Sequence, residues 1–223
     1  MCGRYSLTTA PEAMRRLFRI EGSLLNIEPR YNLAPTQQAP VIRSRAEGGN
    51  EITMMRWGLV PSWSKEGPAS GFMMINARAE TVADKPAYRA AFRERRCLVP
   101  ADGFYEWKKL GHEKQPYRFT MADGAPFVFA GLWESWRDPT GGTLLSFTIV
   151  VTAANALVST VHDRMPVILG EGPADAWLAG GSRAAMLALL QPFPAERMAA
   201  TPVSRRVNSP ANDDPGVIEP VVA

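Results

Sequence analysis

Cysteine and histidine are nearly missing from the 223 residues: only Cys2, Cys97, His112 and His162 occur. Two cysteines make no disulfide framework. Without a Cys-x-x-Cys spacing, four such residues make no zinc site either, so neither a metal nor another cofactor is expected. Lysine is scarce too, at 5 against 20 arginines. No apolar run reaches the roughly eighteen residues that cross a bilayer, so no membrane partner is expected. The start, Met1-Cys2-Gly3-Arg4-Tyr5, lacks the charged-then-apolar pattern of a secretory signal. The expected compartment is the reducing cytoplasm.

What is present suits one core. Hydrophobic residues make up 46% and charged residues 21%, which excludes a disordered chain. The net charge of +3 is weakly basic. Arginine grips phosphate bidentately and stacks on aromatic faces, although a codon bias explains the Arg preference equally well.

The Thr9…Glu12 capping pattern, with Met14, Leu17 and Phe18 at helical spacing, predicts a helix over 9–20. Three prolines make 28–40 a loop or extended segment. Strands are expected at 52–59 and 97–100, and a helix over 85–96. Residues 103–108 and 117–121 read as a hairpin with 109–115 as a polar connection. Strands at 126–133 and 144–152 flank the turn residues 138–142. Short helices are expected at 173–179 and 182–190, then an extended or loose segment from Asn208. The sum is an α+β fold: a single domain over 1–223 with its core in 2–208, built on a mainly antiparallel, barrel-like sheet with peripheral helices.

Cys2 is the sharpest chemical feature. Once Met1 is removed, its α-amine and thiol stand two carbons apart. An amine of pKa about 7.7–8.0 is partly neutral at pH 7, and an ionised thiol is a strong nucleophile. Together they convert an aldehyde to an imine and then close a five-membered thiazolidine, an intramolecular step favoured by proximity. Read alone, Cys2 is more often an incidental small hydrophobe. Glu106, in Gly103-Phe104-Tyr105-Glu106-Trp107, shares a strand face with Phe104. It is either a desolvated acid–base carboxyl or a charge on an edge strand.

His162, in His162-Asp163-Arg164-Met165-Pro166, suits proton transfer or a structural hydrogen bond; His112 reads as solvated. Asn76, in Ile75-Asn76-Ala77-Arg78-Ala79-Glu80, can orient a substrate hydroxyl or stabilise a turn. Arg78 is a phosphate contact or a surface ion pair. Arg4, two residues from Cys2, can hold a phosphate and lower the thiol pKa. Of the tryptophans in Trp57-Gly58-Leu59-Val60-Pro61-Ser62-Trp63, Trp57 is assigned to the core and Trp63 to a base-stacking surface.

These motifs recur together. Cys2-Gly3-Arg4-Tyr5, Tyr31-Asn32-Leu33-Ala34-Pro35-Thr36, Trp57 to Trp63, Asn76 to Glu80, Arg96-Cys97-Leu98-Val99-Pro100, Gly103 to Trp107 and His162 to Pro166, in this order, resemble the SOS-response-associated peptidase (SRAP) domain family. The resemblance spans residue 2 to about Asn208. It implies that Cys2 forms a thiazolidine with the aldehyde of an abasic site in single-stranded DNA, shielding the lesion during the damage response. It puts Asn76, Glu106 and His162 in the active site and makes Arg4, Arg78, Trp63 and Trp107 candidates for the DNA surface. A lyase side activity by β-elimination is expected, with a monomer acting in the cytoplasm on nucleoid DNA. The rival readings are an N-terminal-nucleophile thiol peptidase and a non-catalytic single-strand binding module.

Overall fold

The computed structural model describes residues 2–17, 20, 26–69 and 74–221. Thirteen strands and four helices follow the chain within these residues. The strands are β1 (Tyr5–Leu7), β2 (Arg30–Leu33), β3 (Gln38–Ser44), β4 (Asn50–Trp57), β5 (Asn76–Arg78), β6 (Arg96–Ala101), β7 (Gly103–Leu110), β8 (Glu113–Met121), β9 (Phe127–Arg137), β10 (Thr143–Ala153), β11 (Arg164–Pro166), β12 (Ile168–Leu169) and β13 (Met198–Pro202). The helices are α1 (Pro11–Leu17), α2 (Arg89–Glu94), α3 (Glu171–Ala179) and α4 (Arg183–Ala188).

Strand pairing closes on itself. β10 pairs with β4, β4 with β3, β3 with β6, β6 with β9, and β9 with β10 again, giving a five-stranded barrel. Among the pairings of named strands within the described residues, only β10–β4 and β10–β5 are parallel. A barrel leaves no free edge among its five strands. A second, fully antiparallel sheet, ordered β13-β8-β7-β1-β2, covers it. The two layers meet through aromatic rings. Tyr5 stands edge-on to Trp57 and Phe129 at 5.2 and 5.8 Å, and Phe104 meets Phe129 at 6.2 Å. Edge-to-face pairs of this kind add about 0.5–1.5 kcal/mol beyond area burial. This is the α+β, mainly antiparallel, barrel-like single domain that the sequence predicts.

Several local expectations need correction. The first helix covers Pro11–Leu17, not 9–20; Phe18 lies outside the described residues. Thr9 does not form a capping box, because its backbone N–H and hydroxyl both donate to Asp102, at 3.1 and 3.4 Å. Residues 28–40 contain β2 and the start of β3. Pro40 fits there because it lies opposite Met54 on β4, while β3 meets β6 only at Ile42 opposite Leu98, so the proline removes no bond on that side. The helix expected over 85–96 is shortened to 89–94: turns occupy its start, and Arg96 already pairs with Leu132 in β6. The 103–121 hairpin forms as expected, but its strands run through the polar connection to a tight turn at Gly111, which takes a left-handed φ of 60°.

The segment after Asn208 is tied down rather than loose. Asp213 accepts the backbone N–H groups of Tyr31 and Asn32 at 2.6 and 2.8 Å and pairs with Arg30. Val217 is buried with Tyr105, Val203 and Val207 on the outer face of the second sheet.

Candidate active site at the amino-terminal strand

The N-terminal strand lies inside the second sheet, between β7 and β2. Tyr5 is opposite Phe104, and the Tyr105 N–H donates to the Arg4 carbonyl at 3.0 Å. Asp102 anchors the other end of the strand: its carboxylate accepts the Ser6 and Thr8 hydroxyls at 2.6 and 2.7 Å and pairs with Arg118 at 3.0 Å.

Glu106 is buried, with 3% of its surface exposed. Its strand has partners on both sides, which rules out the edge-charge reading. As expected, it faces the side of Phe104, which joins the main core, while Tyr105 and Trp107 belong to the outer cluster. Burial pushes its carboxyl up to about 7, against the opposing charge of the amino terminus. At neutral pH the group therefore both gives and takes protons.

Cys2 is fully buried, and its thiol points toward the Arg4 carbonyl at 3.8 Å. Burial pushes the thiol up, and the charge of Glu106 pushes it further. This corrects the expectation that Arg4 lowers it. The Arg4 guanidinium is turned to Asn32 Oδ1 at 2.9 Å and to the carbonyls of Val207 and Asn208 at 2.6 and 3.1 Å. The thiol thus rests protonated and needs a base; Glu106 is the carboxyl whose charge reaches it.

His162 is half-buried on a clamped loop between residues 158–160 and β11. Its backbone N–H donates to the Val158 carbonyl at 2.9 Å, and the Asp163 carbonyl accepts the Ala154 N–H at 3.0 Å. Its Nδ1 lies 3.0 Å from two different partners, the Arg164 N–H and the Asp163 carboxylate. Burial holds the imidazole below its ordinary pKa, with the positive amino terminus adding to that and Asp163 opposing it. The neutral ring accepts from Arg164 at Nδ1 and so carries its proton on Nε2. A protonated ring donates from Nδ1 to Asp163 instead.

Asn76 opens β5, opposite Ile149 of β10. Its Nδ2 donates to the Ile75 carbonyl at 3.0 Å, and its buried Oδ1 has no partner among the described residues. Such an acceptor is available to a substrate hydroxyl. Arg164 of β11 pairs with Glu80 just beyond β5, which ties the His162 loop to the Asn76 strand. Glu106 acts on the Cys2 thiol, the charge of the amino terminus acts on both Glu106 and His162, and Asn76 is tied to the His162 loop through Glu80.

The four residues expected at a DNA surface differ in exposure. Trp63 is 64% exposed and Arg78 is exposed, whereas Trp57 is buried as expected. Trp107 is half-buried, its Nε1 held by Asn208 Oδ1 at 2.7 Å. The segment after Trp63 contacts Trp136 twice: Ser64 accepts the Trp136 Nε1–H at 2.8 Å, and Gly67, at φ 56°, lies so close to Trp136 that a Cβ would come within 2.5 Å of the ring. Asn32 is the residue whose role the sequence reading missed. It is fully buried and joins Arg4 to the carbonyls of Val207, Ser209 and Asn212 at 3.2, 3.0 and 2.8 Å. No local pattern signals this, because its partners lie about 180 positions away. No cluster of His, Cys, Asp and Glu that could hold a metal exists among the described residues, and no described helix is long and apolar enough to cross a membrane.

The family model described as SOS response associated peptidase (SRAP) matches residues 1–210. The chain belongs to the SRAP family. Among its SRAP relatives, abasic site processing protein YoqW of Bacillus subtilis is 41% identical over 98% of this chain and 99% of its own. Abasic site processing protein HMCES of Xenopus tropicalis is 32% identical over 100% of this chain and 79% of its own. The SRAP fold described above superposes on a solved protein from Bacteroides thetaiotaomicron with a TM-score of 0.89 at 28% identity, covering 99% of this chain and 100% of that one. A Bordetella bronchiseptica protein gives 0.81 at 31% identity, covering 91% and 100%.

Proposed function

We propose that this SRAP protein processes abasic sites, and that it does so by capturing them covalently in single-stranded DNA through Cys2. The observation that carries the reading is the burial of the Cys2 thiol within the electrostatic reach of a carboxyl poised at about 7. The names of its relatives, abasic site processing proteins similar over 98–100% of this chain, supply the substrate.

In this mechanism Met1 is first removed, freeing the Cys2 amine. His162 moves the protons that open the closed sugar: one leaves the anomeric hydroxyl and one reaches the ring oxygen. The amine adds to the aldehyde, and Glu106 gives a proton to the departing water and takes one back from the nitrogen, leaving an imine. The Cys2 sulfur then bonds to the imine carbon while its proton passes through Glu106 to the nitrogen, closing the thiazolidine. The Asn76 Oδ1 accepts a hydrogen bond from the sugar-derived hydroxyl. An imine that loses the 3′ phosphate by β-elimination accounts for a weak lyase activity. Trp63 and Arg78 take the neighbouring bases and phosphates; Arg4 and Trp107, both engaged internally, support the site's wall from the DNA side. The protein acts as a monomer in the cytoplasm, at the nucleoid when bound.

An abasic single strand and a gel that resolves covalent adducts test this. Cys2→Ala and retention of Met1 should each abolish the stable adduct, and Cys2→Ser should give none that lasts. A normal, durable adduct from Cys2→Ser contradicts the sulfur chemistry. The family's peptidase description favours one alternative, a thiol peptidase, which predicts peptide turnover without DNA.

A further inference from the structure

Away from Cys2, helices α2 and α4 enclose an open cavity of about 750 Å³. Four arginines line it, Arg89, Arg93 and Arg96 from the α2 region and Arg183 from α4, beside the side chains of Phe92 and Met186; no carboxylate is in its wall. The charges are only half compensated. Arg93 pairs with Glu94 at 2.6 Å and Arg183 with Asp84 at 2.8 Å, outside the wall. Arg89 and Arg96 have no carboxylate partner among the described residues.

Arg96 is the informative one. Its guanidinium is half-buried and donates from Nη1 to the carbonyls of Phe92 and Arg93 at 2.6 Å each and from Nε to that of Trp177 at 2.8 Å. These carbonyls take three of its five N–H groups but do not neutralise its charge. A partly buried cation without a counter-ion is unfavourable, and an anion entering the cavity would supply one. Guanidinium forks suit the planar, bidentate contacts of phosphate. The volume falls within the few hundred to about 1,000 Å³ typical of ligand sites, and Phe92 and Met186 add apolar residues to its lining.

We propose that this cavity is a second ligand site, taking the phosphate group of a nucleotide, either free or within a nucleic-acid strand. The site does not depend on the chemistry of Cys2, so a Cys2→Ala protein retains it.

Calorimetric titration of the full chain with inorganic phosphate and a deoxynucleoside monophosphate, and anisotropy with an undamaged single-stranded oligonucleotide, test the two sources. Arg89→Ala/Arg183→Ala should weaken at least one of these probes about tenfold or more, with Arg89→Lys/Arg183→Lys intermediate. Loss of mononucleotide binding identifies a free nucleotide site; loss confined to the oligonucleotide identifies a strand-binding site. Arg15→Ala/Arg16→Ala, on the exposed face of α1, removes the same charge elsewhere. The proposal is overturned if no probe binds the wild-type protein, if the cavity variants bind every probe normally, or if the α1 control loses as much.

Discussion

Asn32 and Arg4 share a 2.9 Å hydrogen bond in the second sheet, and Asn32 turns its amide group to three carbonyls of the 207–212 segment. Replacing the amide by a carboxylate sets an acceptor against three acceptors. Asn32→Asp should therefore destabilise the fold by about 2–4 kcal/mol, read as a shift of the urea midpoint. An unchanged midpoint would show that the junction carries no stability.

The raised carboxyl of Glu106 fixes the sign of a pH effect. A group whose folded-state pKa, about 7, exceeds its unfolded value near 4.5 binds more protons when folded across that window. Its contribution is present below the unfolded pKa and is lost as pH rises through the folded one. Glu106→Gln should thus raise the melting temperature at pH 8 relative to wild type by ~5 °C and leave it nearly unchanged at pH 4. The same substitution should remove the rise in adduct formation rate through pH 7.

Asp163 holds the His162 pKa up against burial. Asp163→Asn should move the His162 titration, followed by NMR of its ring protons, to lower pH. A shift upward would mean that the ring does not use the Asp163 carboxylate when protonated.

The two tryptophans of the 57–63 segment should separate stability from binding. Trp63→Ala, at an exposed position, should weaken single-strand binding by about 1–3 kcal/mol and leave the melting temperature unchanged. Trp57→Ala, in the barrel core, should cost about 3–5 kcal/mol of stability. Equal effects of the two on unfolding would contradict this division.

The parts of this architecture that could be read from the sequence are those governed by neighbours along the chain. β9 and β10 are apolar runs bounded by turn residues, and the alternation around Glu106 correctly gave its face. β2 and β3 were hidden because prolines argue locally against a strand, and only the one-sided ladder at Pro40 makes that proline harmless. The protonation of Cys2 was misjudged for a similar reason. Arg4 is close in sequence, but its charge is committed to Asn32 and Val207, and desolvation of the thiol is a property of the packed layers. Trp57 lies in the core as expected and Trp63 is exposed; Asn32 was not recognised because all its partners are distant.

The bond from Arg4 to the Val207 carbonyl spans 203 positions. Closing so long a loop is slow and entropically costly. During synthesis the segment bearing Cys2 emerges from the ribosome first, yet its binding partners in 207–213 emerge some two hundred residues later. The reactive pocket is thus completed only when translation has passed those residues, and a stalled or truncated nascent chain carries a nucleophile without the architecture that arms it.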